Sequence, residues 1–423
     1  ASMLGGVPLF SRADETKDAP TEYGKEPAFQ VKCAVIGTGG WGREILIELS
    51  KMPEAEDLAI CDTYEPLLNR AGRSAPKAAK VADYRQVLEN KDVQAVFIAT
   101  PTHQHKEMAL AALQAGKHVY CEAPLAHTVE DARAIAQAAH THPKLYFQPG
   151  LQLRSDPQRL FLLPFIRSNA VGSFVMARAQ WHKKTSWRFT SAVPEREAEI
   201  NWRLRRETSA GLVGEIGIHQ LDEVAWFLQG VPQAANGFGG VMHWSDGRDV
   251  PDTVQAVIEF PRKVNFTYDA TLTNSFDAQY QIYYGTDAAV MIREDKAWLF
   301  KEVDSALLGW EVYARKDVFY KETGIALVAN ASKVSGASQG GAGGAPPVDS
   351  PLKHALKAFL TNANLIGTGV EDFAALFGGD DADELAKHLG SLKLSPAANY
   401  RDGLAATVMA LKVNEAILKN QKI

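Results

Sequence analysis

The sequence predicts an α/β protein in two parts: an N-terminal doubly wound parallel sheet, and a C-terminal α+β domain on a largely antiparallel open sheet. Three observations predict it. A short β-branched run, Val31–Ile36, ends in Gly37, Gly39 and Gly42 and passes at once into a helix-compatible segment, Arg43–Leu49. Residues 31–150 then alternate short apolar runs with helical patterns, the rhythm of parallel β-α-β units with right-handed crossovers. After Gly150 the rhythm changes to consecutive period-two runs with no helix between them, as antiparallel strands produce. The 423 residues suffice for two domains. The expected divisions are an arm at 1–30, a first domain at 31–150 and a second at 151–423, with the final helices placed to pack back on the first.

In chain order, the first domain has strands at 31–36, 57–61, 94–99, 118–121 and 145–147, with helical patterns at Lys106–Ala115 and Val129–Ala139. Ligands of such sheets bind at the carboxyl ends of the strands. That rule selects Gly37–Gly42, Thr100–His105 and Cys121–Pro124. In the second domain Phe174–Trp181 alternates as a strand and Gly211–Leu228 reads as a helix. Strands follow at 253–260, 264–272, 279–284 and 288–292. Residues 335–347, rich in glycine and serine, read as a flexible surface loop. Helices Pro351–Asn362, Val370–Phe377, Asp381–Leu389 and Asp402–Leu418 complete the chain. No internal repeat is evident.

The spacing of Gly37, Gly39 and Gly42 is G-x-G-x-x-G, and Asp62 ends the next apolar run twenty residues later. Strand, glycine turn, helix, strand and terminal acid form the dinucleotide-binding arrangement. Gly37 permits the tight turn, Gly39 lets a pyrophosphate approach the backbone, and Gly42 lets helix and strand pack closely. Gly40 and Trp41 lie in the same turn. The helix N-terminus presents free N–H groups to phosphate. Asp62 hydrogen-bonds a free ribose hydroxyl and repels a 2′-phosphate, and no arginine adjoins Thr63 or Tyr64. The expected cofactor is therefore NAD rather than NADP.

Bulk properties exclude other classes. A net charge of −5 gives no electrostatic case for nucleic acid or an anionic membrane. No apolar run approaches the ~18–20 residues that span a bilayer. Cys33, Cys61 and Cys121 all fall in or beside expected strands, so they read as buried free thiols, and no metal site is expected. The polar, proline-containing first thirty residues have two readings, a cloning scar with a loose arm or the remnant of a removed export signal. The second is preferred, so the expected location is periplasmic rather than cytoplasmic.

The glycine unit, Ala99–His105, Cys121–Pro124 and Gly214–Asp222 occur in the order of the signature blocks of the Gfo/Idh/MocA family (glucose–fructose oxidoreductase, inositol dehydrogenase and MocA), which the chain resembles over roughly residues 30–300 and the final helix. The resemblance implies a Rossmann domain, a tightly held nicotinamide cofactor, a carbohydrate substrate and a homo-oligomer, dimer or tetramer. It also implies that Thr100 and Pro101 lie along the cofactor with His105 near them, and that Glu122 sits by the nicotinamide ribose. His219 matches the catalytic histidine, with Glu215 where many members have aspartate and Asp222 at a further acidic position. One block departs from the family: Glu-Lys-Pro is here Glu122-Ala123-Pro124. Relatives lacking that lysine include NAD-dependent glycosidases.

Glu215, His219 and Asp222 are spaced i, i+4, i+7 and share one face of a helix. A histidine near its titration midpoint takes a hydroxyl proton while a carboxylate orients it. The plainer reading is a surface salt-bridge cluster. Gln152 and Arg154 lie in the interdomain linker, where side chains either line a cleft or form an ordinary hinge. Trp202 and Arg203 suit a sugar, by stacking and by hydrogen bonding, or simply anchor a long loop. Lys183 or Lys184 is a candidate for the amine absent at Ala123. The leading expectation is an NAD-dependent oxidoreductase acting on a sugar through His219 and Glu215. The alternatives are a redox-neutral NAD-dependent glycosidase and a non-catalytic dinucleotide-binding protein.

Overall fold

The structure, a computed structural model, describes residues 29–167, 170–309, 311, 316–319, 322–327, 349–378 and 381–423. The arm before residue 29 and the loop at 335–347 lie outside the described residues. The first sheet has six parallel strands: β1 (Val31–Ile36), β2 (Ala55–Cys61), β3 (Ala79–Val81), β4 (Ala95–Ile98), β5 (His118–Cys121) and β6 (Phe147–Pro149). Their order is β3-β2-β1-β4-β5-β6, with the topological switch between β1 and β4. β3 has only three residues and no apolar alternation, so no sequence pattern marks it. Helices α1 (Gly40–Leu49), α2 (Glu65–Ala71), α3 (Tyr84–Glu89), α4 (His105–Gln114) and α5 (Val129–Thr141) flank the sheet. The three cysteines are buried and free.

Helix α6 (Pro157–Arg167) leads into the second sheet. Its strands are β7 (Phe174–His182), β8 (Ala234–Gly240), β9 (Thr253–Glu259), β10 (Asn265–Thr271), β11 (Gln279–Gly285), β12 (Ala288–Arg293), β13 (Lys296–Lys301), β14 (Lys316–Phe319) and β15 (Glu322–Leu327). The order is β14-β15-β13-β12-β11-β7-β10-β9-β8, antiparallel except where β7 pairs with β10. β8 contains three glycines and so reads as a loop in sequence. Its glycines serve close approach: a Cβ on Gly237 or Gly239 would lie 2.8 Å from Ile417. Between β7 and β8 come a short helix, α7 (Glu197–Ile200), a π-turn at Val213–Gly217, and α8 (Ile218–Leu228).

The C-terminal chain returns to the first domain. The two expected helices at 351–362 and 370–377 are one, α9 (Pro351–Phe377). The helix runs through Gly369, whose missing side chain admits Leu389 of the following helix, α10 (Ala382–Gly390), and Leu392 just after it: a Cβ on Gly369 would lie 3.2 and 2.9 Å from them. Phe359 of α9 is fully buried edge-on to Phe97, 5.0 Å between centroids. Truncating such a side chain costs about 3–5 kcal/mol. The final helix, α11 (Tyr400–Lys419), packs on α5, β8 and α8 and joins the two domains. Its Thr407 hydroxyl accepts the Leu125 N–H at 3.0 Å, and Gly403 lets it approach Pro149. The cleft lies on the carboxyl side of the first sheet, closed by α8 and β11.

Candidate functional site

The glycine turn admits no side chain at two of its positions. Gly37 has φ +90°, and a Cβ would sit 2.7 Å from the Ala99 carbonyl oxygen. A Cβ on Gly42 would sit 1.8 Å from the Gly37 carbonyl oxygen. Around Gly39 and Gly40 nothing lies within 4 Å of the corresponding position. The start of α1 has no side-chain cap, so its N–H groups face open space. Asp62 is fixed beside this turn. Its Oδ2 accepts the Thr38 N–H at 2.9 Å and the Thr38 hydroxyl at 3.1 Å, and its Oδ1 accepts the Tyr64 N–H at 2.9 Å.

The neighbouring strand ends complete this wall. Thr100 Oγ1 and Glu122 Oε1 are buried and have no hydrogen-bond partner. Gly150 makes room for Glu122, since a Cβ there would lie 2.4 Å from Oε2. Burial pushes the Glu122 carboxyl up to about 7, and the nearby donors of Trp41, Ala123 and Tyr120 act in the opposite direction. Trp41 and Ala123 line the cleft; Pro101 does not, but starts the turn Thr102–Gln104. These residues fit NAD: an open glycine turn for the pyrophosphate, a fixed carboxylate for a ribose, and two buried oxygens without partners further in. His105 lines the same cleft beside Thr100, as the resemblance implies. Its ring nitrogens lie 3.0 and 2.9 Å from the Pro124 and Thr100 carbonyl oxygens, and burial pushes its pKa down to about 4, so the neutral ring donates to one of the two. The ring clamps the two loops that carry them.

The cleft has a volume of about 520 Å³. His219 projects into it from α8, and among the described residues its ring has no hydrogen-bond partner. Burial lowers its pKa to about 4, so the imidazole is neutral at neutral pH. Gln152, Trp181, Trp202, Arg203 and Gln220 share the wall with it. Arg203 stacks over the Trp202 ring at 4.3 Å. Arg159 also lines the cleft, but its Nη1 donates to Asp156 Oδ2 at 2.9 Å and its Nε lies 3.7 Å from Glu223. Among the described residues the ion-pair partner of Arg203 is Glu215, at 4.0 Å.

Four expectations need correction. Glu215 does not orient His219. Its Oε2 accepts the Thr102 hydroxyl at 3.1 Å, and its Oε1 accepts the Ala210 N–H at 2.9 Å and the Ser209 hydroxyl at 3.3 Å. The reason is the π-turn at Val213–Gly217, which breaks the i, i+4 stacking of a regular helix. Glu215 therefore ties the first-domain loop at Thr102 to the second domain. Asp222 and Arg154 do not face the cleft: they bind each other, Nε to Oδ2 at 2.9 Å and Nη2 to Oδ1 at 2.8 Å. Arg154 also reaches Asp402 of α11 at 2.9 Å, which makes this an interhelical tie. Lys183 and Lys184 are exposed and do not line the cleft, so neither supplies an amine there.

Other lining residues escape sequence reasoning. Gln279 and Gln281 alternate on β11, a period-two polar pair that marks a strand face toward a polar site. Gln281 donates to Glu223 at 3.2 Å. Gln220 donates to the Gln180 carbonyl at 2.9 Å, and its own Oε1 is buried without a partner. Arg159 on α6 carries no local signal at all.

A parallel sheet with an open glycine turn, facing a polar wall from a second sheet, defines a two-domain dinucleotide-binding protein. The chain belongs to the GFO/IDH/MocA oxidoreductase family: residues 31–149 match its NAD-binding Rossmann domain and residues 164–290 its C-terminal domain. A levoglucosan dehydrogenase of Pseudarthrobacter phenanthrenivorans is 30% identical over 178 residues, 42% of this chain and 43% of that protein. An inositol 2-dehydrogenase/D-chiro-inositol 3-dehydrogenase of Shouchella clausii is 35% identical over 150 residues, 35% of this chain and 43% of that protein. The chain thus matches less than half the length of these two relatives. Among solved structures, a levoglucosan dehydrogenase in complex with NADH and L-sorbose superposes with a TM-score of 0.68 at 19% identity, covering 93% of this chain and 98% of that one. An oxidoreductase domain protein from Kribbella flavida gives 0.69 at 18% identity, covering 93% and 99%. At these identities the likeness is one of fold.

Proposed function

We propose that the protein is an NAD-dependent oxidoreductase that oxidises a hydroxyl of a sugar or sugar derivative. The observation that carries this reading is a neutral His219 that has no hydrogen-bond partner among the described residues, in the same cleft as Trp41 of the glycine turn, Thr100 and Glu122. The relatives named as levoglucosan and inositol dehydrogenases support the substrate class. NAD, when bound, supplies the hydride acceptor. The chain's own residues do the rest. The first turn of α1 takes the pyrophosphate, and Asp62 takes the adenosine ribose. His219 accepts the hydroxyl proton at an unprotonated ring nitrogen, which frees the electron pair that expels the hydride. Trp181 and Trp202 offer apolar faces to a sugar ring, while Gln152, Gln220 and Arg203 offer donors to its hydroxyls. The open face of the second sheet exposes Met176, Phe238 and Val257, which supports a homo-oligomer through that face.

A second reading is favoured by Ala123, which supplies no amine: oxidation, elimination of an aglycone, hydration and reduction within one site. One experiment separates the two. Free sugars and aryl glycosides are turned over in heavy water with NAD held below substrate. NADH forming one-for-one with oxidised sugar supports the dehydrogenase. Aglycone released far beyond the NAD supplied, with deuterium entering a sugar carbon, supports the redox-neutral glycosidase. No turnover of either kind by a chain that still binds NAD would sink both.

A further inference from the structure

The segment 183–204 leaves the end of β7, supplies Trp202 and Arg203 to the cleft, and touches the first domain at three places. Trp202 approaches His103, 6.3 Å between ring centroids. Glu199 Oε1 accepts the Thr63 hydroxyl at 3.4 Å. Arg196 lays its guanidinium over the Tyr64 ring at 4.2 Å. The last two contacts fall on the loop that carries Asp62, and the Tyr64 N–H is itself one of the donors that fix that carboxylate.

The segment is tied to its own domain as well. Asn201 is buried and bridges the segment internally: its Oδ1 accepts the Phe189 N–H at 2.9 Å, and its Nδ2 donates to the Phe189 and Glu197 carbonyls at 2.9 and 2.8 Å. Arg188 pairs with Glu197 and donates to the Asp246 carbonyl. Arg248 donates to the Ser186 carbonyl. Arg196 therefore reaches the Asp62 loop from a braced segment.

The donors of Arg196 are incompletely used. Its Nη2 donates to Glu199 Oε1 at 3.2 Å, while its Nε is buried and has no partner. A buried donor without an acceptor is costly, and a bound ligand that offers an acceptor removes the cost. Tyr64, the ring on which Arg196 lies, donates its N–H to Asp62, so the ligand group this loop defines is the adenosine half of a dinucleotide on Asp62. Glu199 offsets the guanidinium charge, so the site favours the neutral acceptors of adenosine over a 2′-phosphate.

We propose that Arg196, contributed by the C-terminal domain, is a cofactor-binding residue that closes the adenosine end of the site against Tyr64. This rests on the reading of the cleft as an NAD site.

The test is binding, not turnover. Dissociation rates and affinities of NAD and ADP-ribose are measured on the full chain for the wild type, Arg196→Ala, Arg196→Lys and Tyr64→Ala. Arg196→Ala is expected to weaken both ligands about tenfold, chiefly by faster dissociation, the scale of one hydrogen bond from a charged donor, and Tyr64→Ala, which removes the ring that positions the guanidinium, weakens them in the same direction. Arg196→Lys keeps the charge but not the planar stack and falls between. The ligand-free melting temperature falls slightly, by the loss of the Arg196–Tyr64 contact, and the rise produced by NAD above that new baseline shrinks. Wild-type affinity and dissociation rate in both truncations would overturn the proposal while leaving the NAD reading intact. A wild-type chain that binds neither ligand would overturn the NAD reading and this proposal with it.

Discussion

The turn at Gly37–Gly42 and the wall at Trp202–His219 face each other across one cleft, and different kinds of information shape them. In the turn, each residue answers to its own backbone: a positive φ at Gly37, and a helix that touches the strand end at Gly42. In the wall, each residue answers to partners far away in the chain. Glu215 is held by Thr102, Trp202 approaches His103, and Arg196, on the same segment as Trp202, lies over Tyr64. The turn is therefore a local device that builds a phosphate site wherever the sheet carries it. The wall exists only when both domains are assembled.

Four substitutions or titrations test this contrast. The largest effect is expected at His219. His219→Ala lowers kcat roughly 10²–10⁴-fold, the usual worth of a positioned base, while NAD affinity measured by calorimetry stays at the wild-type value. A loss of NAD binding in that variant would move the histidine from the chemistry to the cofactor site. Next comes Arg154→Ala, which leaves Asp222 buried without its guanidinium and costs about 3–5 kcal/mol in urea unfolding. If Arg154 bound substrate, KM would rise with stability unchanged.

Gly42→Ala tests the local side of the contrast. A methyl group 1.8 Å from the Gly37 carbonyl forces β1 and α1 apart. The expectation is about 1–3 kcal/mol of lost stability, together with a loss of NAD binding that the Arg154 variant does not show. The smallest effect is a titration. His105 is buried with its folded-state pKa at about 4, below the unfolded value of about 6.5. Between those values the unfolded chain binds the proton first. The contribution of neutral His105 is thus whole above about pH 6.5 and is lost as pH falls through about 4. Wild-type stability should fall more steeply than that of His105→Asn across this window, by up to about 3 kcal/mol. Parallel slopes would show that the clamp carries no such linkage.

Much of the first domain was legible because its constraints are local. The apolar runs mark five of its strands, and Gly37, Gly42 and Asp62 occupy the places that a dinucleotide turn demands. The second domain was legible only in outline. β8 hides behind glycines that exist to admit Ile417, and α9 runs through a glycine that reads as a break. The spacing of Glu215, His219 and Asp222 placed all three on one helix face; Glu215 does line the cleft with His219 but is taken up by Thr102 and Ala210, while the Arg154 pair holds Asp222 outside it. Lys183 looked available as an amine and proves to lie in solvent. No periodicity reports any of this, because each outcome depends on what another segment places alongside.

The sequence alone determined the class of sheet, the glycine turn, the acid at its edge and the histidine opposite, since each is fixed by backbone geometry or by charge within a few residues. Tertiary structure decided the rest: which partners take up Glu215 and Asp222, which side chains of the second sheet line the cleft, and which residue of the second domain meets the Asp62 loop. Those choices are made by contacts between residues far apart in the chain, whose energies appear only once the two domains are packed together.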